Sequence, residues 1–466
     1  MESTDYTAAL ARELHALGPG SLTEADRAQL SRLLLDFCGV AYGGTDRPWI
    51  VVLHAWAKRY GGTGGARIVA SDLSVAPAIA ALVNGAAGHS FELDDTHDAS
   101  MSHPGAVVFP AALAVAAETG STADAVLAAV TAGYETMARL GRAAAAGRVM
   151  AAGFHPTALF GAFGAATAAA KLTGLDADGL SRAWGHALSM TAGSVQFSQE
   201  TAGAEVKRMH AGYAAHNGVL AAEFAAAGIE APRRALDGRY GFLSLYGQEP
   251  DPAELTRSGP RAIGEISFKP YACCRLLHSM IDGLRDVTDG FRVTLDAVRS
   301  IRVTGPGKLA EQHMVMRPTT PMAAQYSLPF TVGATLAFGP ERFDAFDAEN
   351  LGDPSILAWT GLVEVGPDPE LEQLYPAHFG TETTLTLASG ETRTARVLDS
   401  RGTAANPMPL NQVRDKARGL IGQVSPGFDF AALQTAIGGF HGSASAAALG
   451  SALGRPSGTQ PTRHAG

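Results

Sequence analysis

A chain of 466 residues with 46% hydrophobic and 17% charged residues can bury two cores of ordinary size, which excludes a disordered or fibrous protein. Its formal charge of -9 provides no basic face for a polyanion, so nucleic acid is excluded as a partner. No apolar run is long and unbroken enough for a membrane span, and the acidic, amphipathic N-terminus does not read as a signal peptide. The three cysteines, Cys38, Cys273 and Cys274, show no CxxC spacing, and a cytoplasmic protein is the expectation.

Helical periodicity runs from residue 4 to about residue 265. Ser21-Leu22-Thr23-Glu24 reads as a capping box opening a helix that carries Leu30, Leu33, Leu34 and Phe37. The next helix, Trp49 to Tyr60, is led in by Pro48 and stops at the glycine cluster Gly61 to Gly65. That cluster lacks the spacing and the Lys-Ser/Thr ending of a phosphate-binding loop, so it is read as a helix end and turn. Further helices are predicted over Ala123 to Ala145, His155 to Leu172, Gly179 to Thr191 and His210 to Ala227.

The period changes near residue 265. Strand-like pieces follow at Val298 to Val303, at Leu362 to Val365, and in TTLTL and TRTARV joined by Ala388-Ser389-Gly390-Glu391. Asn406-Pro407-Met408-Pro409 opens a last helical piece reaching about residue 438. The expected fold is mainly α, with a large all-helical domain from residues 1–265 and 405–440, a smaller α+β lid domain from 266–404, and a flexible tail over 441–466.

Chemistry concentrates in GHSFELDDTHDASMSHPG, Gly88 to Gly105, between two segments apolar enough to be buried helices. His103 precedes Pro104, which disfavours helix there and places the imidazole at an element boundary, with Glu92, Asp94 and Asp95 near enough in sequence to set its tautomer. Asp94, Asp95 and Thr96 read equally as an N-cap cluster. No HxxxH or HExxH pattern accompanies these acids, so no metal is expected. His155 stands before Pro156 at a helix start, either as a second proton carrier or as a structural cap. Lys207, His210, Lys269, Arg275 and His278 lie among small or apolar residues, where cations are costly to bury without anions, and they point to a carboxylate or phosphate site. Cys273-Cys274 reads as packing.

Taken together, LVNGAAGHSFELDDT, SHPGAVVFPAALA, GFHPTALFGAFGAATAAAKLTGL, KRMHAGYAAHNGVLAAEFAAAGI and FKPYACCRLLHSMIDGL resemble the MmgE/PrpD family, in the family's order, over residues 5 to about 438. The resemblance implies a helical domain built from both chain ends, an α+β lid, a site between them, a homodimer and no organic cofactor. Carried over by motif, the site comprises Asp94, Thr96, His103, His155, Lys207 and Lys269, with His210, Arg275, His278 and Tyr326. It further implies a lyase, a dehydratase or decarboxylase, acting on a small di- or tricarboxylic acid. The alternatives are an epimerase or isomerase of a related acid and a non-catalytic carboxylate-binding protein.

Overall fold

In the computed structural model, which describes residues 4–200, 204–312 and 314–454, the apolar runs of the first half form helices that cross at very short range. Helix Val206–Ala226 lies against both Pro77–Gly88 and Pro156–Leu172. Glycine permits the first crossing: a Cβ added to Gly212 would stand 2.3 Å from the Leu82 carbonyl oxygen, and one added to Gly85 would stand 3.0 Å from the Gly212 Cα. Backbone obstructs both positions, so a side chain there would push the helices apart. This contact fixes Lys207 and His210, at the start of one helix, relative to the acidic segment that leaves the end of the other.

Helix Glu24–Gly43 opens on Thr23, whose hydroxyl accepts from the Asp26 amide while Asp26 accepts from the Thr23 amide. The capping box is therefore Thr23 and Asp26, two residues later than the sequence signature suggests. Ser21 instead accepts from the Gly18 amide in a preceding 3-10 turn.

A first apolar core takes residues from Leu10 to Phe268 and again from Met408 to Leu453, and a second takes mainly residues from Tyr271 to Leu385. The second is organised by a four-stranded sheet in the order Val363–Pro367, Val298–Gly305, Thr381–Leu387, Thr392–Val397. The first pair is parallel and the other two are antiparallel. Helix His278–Val287 covers the last two strands. The chain crosses between cores twice, and the crossings are bonded together, Phe268 N donating to the Gly402 carbonyl at 2.8 Å. On its return the chain forms helix Leu410–Val424 against Glu24–Gly43, where Lys416 donates to Asp36 at 2.7 Å and to the Leu93 carbonyl at 2.6 Å.

The described part of the expected tail, 441–454, is folded rather than frayed. Helix Ala446–Ala452 docks with Leu449 and Leu453 buried, and the Ala70 amide donates to the Leu453 carbonyl at 2.9 Å. Four-residue spacing of two leucines gives this short piece one apolar stripe, which its small polar neighbours obscure in the composition. Residues 455–466 lie outside the described residues. Among the described residues no helix is long and apolar enough to cross a membrane.

Candidate active site

The segment between helices Pro77–Gly88 and Gly105–Thr119 is held on both flanks. Strand Thr96–His97 pairs antiparallel with Ile266–Ser267, which delivers Lys269 two residues later to the same place. Glu92 has φ +57, a left-handed conformation rarely adopted by a long side chain, and it is buried. That turn aims the carboxylate into a cation cluster. Lys207 Nζ and Arg208 Nη1 both donate to Oε1, the latter at 2.5 Å, and Lys269 Nζ stands 3.4 Å from Oε2. Arg208 also donates to Gln325 Oε1 at 2.6 Å, and Gln325 in turn donates to the Phe91 and Ala272 carbonyls at 3.0 Å, tying the turn to the second core.

Burial alone would raise the Glu92 pKa, but the charges of Lys207, Lys269 and Arg208 prevail and hold it well below the ordinary value. Burial lowers the Lys207 pKa despite Glu92. At Lys269 burial also opposes the charge, but Glu92 and Asp94 outweigh it and raise the pKa. Three buried cations thus face two buried carboxylates, Glu92 and Asp94, leaving the cluster with an excess of positive charge.

His103 sits beside this cluster with its ring defined by its neighbours. Nδ1 lies 2.8 Å from the Asp95 backbone carbonyl, which can only accept, so Nδ1 carries the proton and Nε2 is the bare nitrogen. Thr96 Oγ1 at 3.3 Å and Asp94 Oδ2 at 3.5 Å flank the same Nδ1. Burial pushes the His103 pKa down to about 3, against the opposing pull of Asp94 and with help from Lys269, so the ring is neutral near neutral pH. Asp94 is itself anchored by His89 Nδ1 at 2.6 Å. Asp95 follows the capping alternative: its carboxylate accepts from the Gly105 amide at 2.8 Å and from Tyr134 at 2.7 Å.

One cavity of about 310 Å³ gathers Thr96, His103, His155, Lys207, Lys269, Arg275 and Tyr326 from both halves of the chain, together with Glu92. Asp94 and His210 stand one layer behind the wall. Asp94 backs His103, and His210 backs His155 with Nδ1 to Nδ1 at 2.9 Å, so one ring of the pair donates to the other. Burial lowers both pKa values, that of His210 to about 4. His278 is not brought to the cavity, which corrects its placement among substrate-binding residues. It is buried with Nε2 3.3 Å from the Cys273 carbonyl and its ring 5.2 Å from that of Tyr271, so it serves lid packing.

Sequence reasoning missed Arg208, Lys308, Tyr375 and Phe379, and it treated Glu92 only as a neighbour of His103, although Glu92 is the hub. The signal for Arg208 was its place beside Lys207 at a helix start. Of the other three, Lys308 comes from one lid segment and Tyr375 and Phe379 from another, and no local motif unites the two. Among the described residues no group of three or more His, Cys, Asp or Glu side chains is placed to hold a metal ion.

The sequence pattern of the MmgE/PrpD N-terminal domain matches residues 8–255, and that of the MmgE/PrpD C-terminal domain matches residues 271–429. The chain is 28% identical over 425 residues to a cis-aconitate decarboxylase of Aspergillus terreus, covering 84% of each protein. It is 28% identical over 455 residues to the cis-aconitate decarboxylase-like protein oryM of Aspergillus oryzae, covering 90% of this chain and 91% of the relative. Identity to the human cis-aconitate decarboxylase is 27% over 433 residues, covering 88% of this chain and 87% of the relative. With both parts of one family pattern matched in order over most of its length, the chain belongs to the MmgE/PrpD family.

Proposed function

We propose that this protein is a lyase of small di- or tricarboxylic acids, that it works by proton transfer at a carbon next to a carboxylate, and that its reaction is decarboxylation. The observation that carries the reading is a neutral histidine, His103, with Nδ1 committed to the Asp95 carbonyl and Nε2 bare, lining one cavity with Lys207 and Lys269. The names of the relatives favour loss of carbon dioxide over loss of water.

Lys207 and Lys269 hold carboxylates of the substrate, and the added negative charge raises the His103 pKa so that the ring takes up a proton on binding. The bond to the departing carboxylate then breaks. Its electron pair spreads into the adjacent unsaturated carboxylate system, where the lysines stabilise the charge, carbon dioxide leaves uncharged, and His103 Nε2 returns a proton to carbon. His155, neutral on the same wall, is the second proton carrier, and Thr96 and Asp94 hold His103 in place.

The test is an NMR screen in deuterated buffer with cis-aconitate, citrate, 2-methylcitrate and iminodisuccinate. The expected result is carbon dioxide release from an unsaturated tricarboxylate, with one solvent deuteron placed on carbon. Water loss would move the assignment to a dehydratase, deuterium exchange with inversion alone to an epimerase, and binding without turnover would overturn the enzyme reading.

Lys207 and Lys269 meet through opposite oxygens of Glu92. Their single losses in substrate binding are expected to be non-additive, with a coupling of about 0.5–3 kcal/mol in a double-mutant cycle. Strict additivity would place them in separate sites.

A further inference from the structure

The lid wall of the cavity is a continuous run of rings and cations that the acid/base cluster does not use. The Arg275 guanidinium lies 5.1 Å from the Phe379 ring centroid, Phe379 lies 5.5 Å from the Tyr375 ring, and Tyr375 lies 5.3 Å from Lys308 Nζ. All four residues line the cavity. The Arg275 charge is partly matched, since it donates to Ser400 Oγ at 3.0 Å and stands 3.4 Å from Asp98 Oδ2.

Lys308 differs. Among the described residues it makes no ion pair, and the nearby Glu372 carboxylate instead accepts from the Gly307 amide at 2.6 Å. It begins helix Lys308–Gln312 directly after the central strand Val298–Gly305, so its backbone is anchored to the lid sheet while the ammonium rests over an aromatic face. A half-buried ammonium at a cavity wall without its own carboxylate is a docking point for an external one.

We propose that Lys308 binds a substrate carboxylate from the end of the lid sheet, on a wall apart from Lys207 and Lys269 of the acid/base cluster, and thereby selects tricarboxylates over dicarboxylates. Two cationic walls, one around Glu92 and one at the end of the lid sheet, then hold two different carboxylates of one substrate, and the Tyr375 ring keeps the Lys308 ammonium in position. The proposal rests on the carboxylic-acid reading of this cavity and extends it to a residue that chooses among acids.

The test separates the two readings because it measures binding without turnover. Calorimetry with tricarballylate, which has three carboxylates and no reactive double bond, is compared with succinate and glutarate for the parent protein, Lys308→Met and Lys308→Arg. Lys308→Met is expected to weaken tricarballylate by about tenfold or more, to weaken the dicarboxylates far less, and to regain part of the affinity as Lys308→Arg. With a turned-over substrate the loss falls on KM more than on kcat. Equal weakening of all three acids, or none, overturns the Lys308 assignment even if the protein proves to be a lyase. Failure of the parent protein to bind any of them overturns the carboxylate reading itself.

Discussion

His103→Gln is expected to lower kcat by about 10²-fold or more while the fold and substrate binding stay near normal. Glutamine has roughly the length of the imidazole and supplies an amide donor for the Asp95 carbonyl, but it has no nitrogen that can take up and return a proton near neutral pH. The parent ring has such a nitrogen, because its Nδ1 proton is committed to that carbonyl at 2.8 Å. Burial pushes its pKa down to about 3, so ring-nitrogen NMR of the protein without added ligand should find His103 neutral across the neutral and mildly acidic range. Saturating tricarballylate should move it toward the imidazolium form, since the ligand brings anions to within reach of Nε2. Near-normal turnover of His103→Gln would remove this residue from the chemistry. A ring that stays neutral in the complex would transfer the acid role to another group, such as Tyr326, whose pKa burial and Glu92 raise well above the ordinary value.

The elements legible in the sequence were those whose local signals agree with their packing. Pro48 marks the start of helix Pro48–Tyr60, and the alternating TTLTL and TRTARV around Ala388 to Glu391 pair as antiparallel strands. His103, Lys207 and Lys269 could be singled out in the sequence because charge is scarce in this chain and these residues stand among apolar neighbours, and the fold brings all three to one cavity. Glu92 was not legible as the hub. Its role depends on a positive φ and on cations that are 115, 116 and 177 residues away along the chain, which no local period encodes. His278 misled for the opposite reason: three residues from Arg275 it reads as part of the same cationic motif, yet the lid core claims its ring. Leu449 and Leu453 show how a short helix escapes composition, since two apolar side chains suffice when a prepared surface receives them.

Glu92→Gln is expected to destabilise the fold by about 3–5 kcal/mol, the scale of leaving buried charges without their counter-ion. Lys207, Arg208 and Lys269 all turn to this one carboxylate, and a neutral amide oxygen cannot balance them. The pH dependence follows from the sign of the shift. The folded-state pKa of Glu92 lies below its unfolded value, so its contribution is fully present above the ordinary carboxyl value of about 4.3 and is lost as pH falls toward the folded value. Denaturant melts of parent and variant should therefore differ by a constant amount near neutral pH, and the gap should narrow below that point. An external tricarboxylate should raise the Tm of Glu92→Gln more than that of the parent, because the variant's cations have lost the internal anion that competes for them. If the variant is as stable as the parent and gains no more from the ligand, Glu92 is not what balances the cluster. The positive charge at Lys207 and Lys269 would then have to be relieved by deprotonation of a lysine, and Lys207, whose pKa burial already lowers, is where that loss would fall.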